Sequence, residues 1–64
     1  MNKKEVYLNT KLLIENIRES YKTFKKSDET FYIGYVTALF DYKLISMKQT
    51  TELKLLIMEI KIGE

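Results

Sequence analysis

Apolar residues recur along this chain at helical spacing. Between Lys4 and Lys26, the positions Val6, Thr10, Leu13, Ile17, Ser20 and Phe24 follow a 4-3-4-3-4 pattern, which is one seam of an amphipathic helix. Tyr7, Ile14 and Tyr21, one heptad apart, widen that seam, and Lys4, Lys11, Arg18 and Lys25 form a basic row beyond them. Polar Thr10 and Ser20 interrupt the seam, which suits a bundle helix better than a long coiled coil. The stretch Phe31 to Tyr42, FYIGYVTALFDY, is apolar around almost its whole circumference, and only Gly34, Thr37 and Asp41 leave a gap. A helix of that kind has to be covered on more than one side. The last apolar segment has two faces: Leu53, Leu56, Ile57 and Ile60 form one, while Leu55, Met58 and Ile62, with Met47 near them, form another.

Boundary signals divide the same pattern into three helices. Lys25 and Lys26 sit where the negative end of the first helix falls, and Ser27, Asp28 and Glu29 are suited to start the second. Ser46-Met47-Lys48-Gln49 is a capping box, with the serine as cap and the glutamine reaching back to it. The pattern predicts an all-α fold, a three-helix bundle over about 4–26, 28–42 and 47–61, with a buried central helix. A strand over 56–62 is the competing reading, because β-branched residues cluster there; the upstream cap and the short link favour helix.

Composition sharpens this picture. The chain has 64 residues, so residues 1–64 form a single domain. It has no proline and two glycines, too few for the turns a sheet requires. Cores this small rarely supply more than ~3–5 kcal/mol, and without cysteine no disulfide can add to that. A second copy that completes the core is therefore expected. The homodimer would use the second face of the third helix and part of the central one. Gly34 and Ala38, four apart, would let a helix backbone approach closely. Tyr32, Tyr35 and Tyr42 cannot all face one buried side, so with Leu55, Met58 and Ile62 they are the expected dimer or partner interface. The competing reading of the tyrosines is that their rings fill the core and their hydroxyls reach solvent.

Candidate chemistry is sparse. No histidine, cysteine or tryptophan is present, which removes the His-assisted nucleophile pairs and the thiolate and imidazole metal sites. The carboxylate pairs Glu15/Glu19 and Glu52/Glu59 lie among lysines and read as solvated helix surface. The two glycines are 29 residues apart, so there is no phosphate-binding loop. The expectation is a protein that is not an enzyme, with no cofactor and no bound metal. Neither a membrane span nor a secretory signal is legible, so no membrane association is expected and a cytoplasmic location is.

Charge is unevenly spread. Residues 1–26 carry seven basic and three acidic side chains, and residues 27–64 carry four and six, for a net +2. The basic row beside Tyr7 and Tyr21 has the make-up of a nucleic-acid contact, and the second and third helices have the outline of a helix-turn-helix. Possible nucleic-acid contacts on these readings are Lys11, Arg18, Lys22, Lys25, Lys48 and Gln49. Against them stand the adjacent Glu15 and Glu19, the missing turn glycine, and polar Lys48 and Thr51 where such motifs bury apolar residues.

Gly34, Tyr35, Ala38, Leu39, Asp41, Leu44, Ile45 and Ser46 together follow a G-Y-x-x-A-L-(F/Y)-D-x-x-L-I-(S/T) pattern. In this it resembles small accessory proteins of Firmicutes phages and integrative elements, a loose collection with no common activity. The resemblance implies a mobile-element origin and a binding role, such as antagonising a host protein. The function expected is thus a small non-catalytic regulator that binds and modulates another protein. The alternative is a dimeric DNA-binding transcriptional regulator, using the helix that starts at Ser46 or the basic face of the first helix.

Overall fold

The computed structural model describes residues 3–20 and 23–62, which form three helices with no strand among them. These are α1 (Lys3–Glu19), α2 (Lys26–Asp41) and α3 (Met47–Met58). The expected three-helix fold is present, and the alternative strand over 56–62 is not. The helix over the middle of the sequence is not the middle of the fold. Leu53 and Ile57 of α3 are fully buried, and α3 packs against both α1 and α2, which hardly meet each other. In α2 only Val36 is buried, so the expectation of a buried central helix is corrected for the single chain. The core is built from Val6, Ile14, Phe24, Val36, Ile45, Leu53, Ile57 and Ile60.

Helix α1 is shorter than its pattern. It ends at Glu19, where Ser20 N donates to Ile17 O at 3.0 Å and tightens the last turn. The Thr23 hydroxyl and amide both donate to Ser20 O, at 3.1 Å each. Phe24 then turns into the core and stacks on Tyr32 with ring centroids 6.4 Å apart. The buried row of α1 is Val6, Thr10 and Ile14, with Ile17 half-buried beside it. Ile14 therefore takes the seam position expected of Leu13, which is 38% exposed. Thr10 keeps its place because its hydroxyl donates to Val6 O at 2.8 Å, leaving no unpaired polar atom.

The start of α2 lies two residues before the expected one. Its cap is Lys25, whose side chain has no acceptor. The bond is supplied in reverse, by Lys25 N donating to Asp28 Oδ2 at 3.0 Å. Ser27, expected as the cap, lies inside the first turn. By contrast, the capping box of α3 forms as expected: Gln49 N donates to Ser46 Oγ at 3.1 Å, and Ser46 N donates to Gln49 Oε1 at 2.9 Å. Helix α3 stops at Met58, three residues short of the expected end. Ile60 is buried after the stop, and β-branched residues give little support for continuing the helix.

The α2–α3 corner closes without glycine. Lys43 N donates to Phe40 O and Leu44 N to Leu39 O, both at 2.8 Å, which is a Schellman closure with Lys43 as its left-handed residue at φ 61°. A side chain is disfavoured there. Lys43→Gly is expected to stabilise the chain by up to ~1 kcal/mol, read as a higher urea midpoint at unchanged slope.

Candidate interaction surfaces

The expected interface residues divide between the core and the outside. Tyr32 and Ile62 are half-buried and pack against the core. Tyr32 lies between Phe24 and Phe31, the latter in an edge-to-face contact with centroids 5.0 Å apart. Ile62 leaves the expected outer face because α3 has already ended. Both are less exposed than Tyr35, Tyr42, Leu55 and Met58. Tyr42, Leu55 and Met58 do point outward, at 79%, 52% and 54% exposure, and Tyr35 is at the exposed edge at 37%.

Two apolar faces follow from this. The first is on α3, where Met47, Leu55 and Met58 lie opposite Leu53 and Ile57. The second is on α2, where Phe31, Gly34, Tyr35, Ala38 and Tyr42 are all exposed and share one side by helical spacing. Phe31, 65% exposed, lies on this face and was not among the expected interface residues. Its signal was its position four before Tyr35 and eleven before Tyr42, on the side marked by the small residues. Among the described residues, apart from its chain neighbours and its own helix backbone, no atom lies within 4 Å of where a Cβ on Gly34 would stand, so the helix approach expected over Gly34 and Ala38 does not come from α1 or α3. Where α1 and α2 part, Val6, Asn9, Thr10, Leu13 and Tyr35 line an open groove of about 260 Å³.

The basic residues do not form one row. Lys11 belongs to a polar cluster that ties α1 to α3. The Tyr7 hydroxyl donates to Glu52 Oε2, Lys11 Nζ lies 3.7 Å from the same oxygen, and it stands 5.9 Å from the centre of the Tyr7 ring. The bond to Glu52, then burial, then the Glu52 charge raise the Tyr7 phenol above its ordinary value. The phenol oxygen of Tyr7, and after it Glu52, raise Lys11. Lys25 is at the cap of α2 and so breaks from the face of Lys4, Lys11 and Arg18. Gln49 spends its amide oxygen on the α3 cap. Arg18 and Lys48 are exposed, and Lys22 lies outside the described residues.

Of the carboxylate pairs, Glu52 is engaged by Tyr7 and Lys11, while Glu59 is exposed at the end of α3. Among the described residues no three acidic side chains converge as a metal site would require, and no helix is long and apolar enough to cross a membrane. No family model matches this chain, and neither a curated protein nor a solved structure matches it.

Proposed function

We propose that this chain is a small non-catalytic regulator that acts by binding another protein, and that it self-associates. The outward face of α3 carries the reading: Met47, Leu55 and Met58 are 64%, 52% and 54% exposed on one helix side. Single exposed apolar side chains are ordinary, but Leu55 and Met58 are neighbours at a spacing of three, with Met47 two turns away on the same side beyond exposed Thr51, and a cluster of that kind suits binding. Methionine adapts to irregular partner surfaces, which suits a helix that inserts into or covers a groove. The resemblance to mobile-element accessory proteins accords with a host protein as the target.

The DNA reading has less support. Lys11 and Gln49 are engaged within the chain, and Lys25 sits at a helix cap. The test is to isolate a binder from nuclease-treated host lysate and measure its affinity for the wild type and for a Leu55→Lys, Met58→Glu double variant. The variant is expected to bind at least ~100-fold more weakly, a loss of about 2.7 kcal/mol, with its helicity unchanged. Between 50 and 200 mM salt the wild type should change little. A reader of DNA making 6–10 phosphate contacts would lose about 10³–10⁵ over that range. Retention that disappears with nuclease, or full binding by the double variant, would overturn the proposal.

A further inference from the structure

The outward side of α2 carries exposed aromatic side chains around two small residues. Phe31, Tyr35 and Tyr42 are 65%, 37% and 79% exposed, and Gly34 and Ala38 lie between them, all uncharged. A glycine inside an exposed helix weakens it relative to alanine. Apart from its chain neighbours and its own helix backbone, none of the described residues occupies the space beside Gly34, so they give no packing reason for it.

We propose that this face is covered by the same face of a second copy, with the two α2 helices antiparallel around a twofold axis near residues 36 and 37. The inference deepens the self-association proposed above and assigns it to α2, leaving the α3 face to a different protein. Three features of the stripe favour a second copy. The first is shape. An isologous contact must be self-complementary. With the axis between 36 and 37, each Tyr35 comes opposite Ala38 of the second copy, and each Phe31 opposite Tyr42. A large side chain meets a small one at the centre, and aromatic rings meet at both ends.

The second feature is charge. Antiparallel packing brings the opposite ends of two helix dipoles together. In this register Lys43 of each copy stands within two residues of the level of Asp28 of the other, whereas Glu29 is paired with Lys26 of its own chain at 2.7 Å. The third is area. At roughly 200 Å² for a whole aromatic side chain, the three rings leave about 350 Å² uncovered. With the exposed edge of the helix between them, each copy would bury about 500 Å², or about 1,000 Å² in total, where specific interfaces begin. A dimer in the micromolar range fits that size.

The register makes the test specific, because the chain has no cysteine of its own. Phe31→Cys and Tyr42→Cys, each in the full chain, are mixed and mildly oxidised at about 100 µM. The mixture should give a disulfide-linked dimer, and neither variant alone should. Along the helix the two positions are eleven residues, about 16 Å, apart, so each is too far from its own symmetry mate in an antiparallel pair. Sedimentation equilibrium should show Ala38→Arg weakening the dimer by at least ~30-fold at unchanged helicity, since Ala38 is exposed in the single chain.

Linking of Phe31→Cys to itself would mean a parallel pair and overturn the proposal. So would a wild-type chain that stays monomeric at 100 µM. A dimer abolished by the Leu55→Lys, Met58→Glu variant and untouched by Ala38→Arg would place self-association on α3 and overturn the assignment to α2. Binding of another protein is read separately, so a monomer that still binds one sinks this inference alone.

Discussion

Replacing Leu53 with alanine is expected to leave the chain largely unfolded at 25 °C. Leu53 has no exposed surface, and its helix packs against both of the others. Removing a buried leucine to the β-carbon costs about 2–5 kcal/mol, depending on how far the site can collapse. A core of this size supplies only ~3–5 kcal/mol, and α1 and α2 hardly support each other once α3 loosens. Leu55→Ala is the control, because its side chain is 52% exposed and surface changes usually stay within about 0.5 kcal/mol. Far-ultraviolet circular dichroism during a thermal ramp separates the two. A cooperative Leu53→Ala transition within a few degrees of the parent would show that α3 is not the element on which the fold depends. If a second copy contributes to stability, the parent's midpoint should also rise with protein concentration.

The second large effect concerns the polar tie between α1 and α3. Tyr7→Phe removes a hydrogen bond to a charged acceptor, and a loss of about 1.5 kcal/mol is expected, at the low end because the cluster is only partly buried. The tie also makes stability depend on pH. The Tyr7 phenol is raised above its ordinary value of 10.0. A group raised in the folded state contributes stability that is fully present below its unfolded value and lost as pH climbs through the folded one. Lys11 is raised as well, so its contribution disappears in the same direction. The wild type should therefore lose stability on the alkaline side of pH 10 more steeply than Tyr7→Phe does. Chemical denaturation at pH 8, 9, 10 and 11 gives the two curves. Parallel curves would show that Tyr7 and Glu52 do not communicate in solution. A direct check is the ionisation of Tyr7 followed by NMR, which should move to lower pH in Glu52→Gln.

These expectations depend on features of unequal visibility in the chain. The α3 cap could be read from four residues, because a serine and a glutamine three apart bond only each other's backbone groups and need nothing else in the fold. At α2 two local starts compete: Ser27 could cap a later first turn, but Asp28 accepts from Lys25 N and the helix begins at Lys26. Lys43 stands where a glycine would mark the turn, so the α2–α3 closure carried no composition signal. The outer face of α3 was legible as surplus greasy spacing. Ile62 was placed on it only by assuming that the helix continued, and the helix stops at Met58.

The sequence by itself determined that the chain is helical, that it has three segments, and that more apolar side chains are present than one copy hides. Those follow from spacing and local hydrogen bonding, which each segment carries within a few residues. Only the tertiary structure decided which helix is the hub, that Ile14 rather than Leu13 joins Thr10 on the buried side of α1, and that Tyr7 and Glu52, 45 positions apart, meet. The physical reason is that a helix apolar on two sides has no intrinsic inside. The inward side of α2 was chosen by contact with α3, and what remained became the stripe of Phe31, Tyr35 and Tyr42.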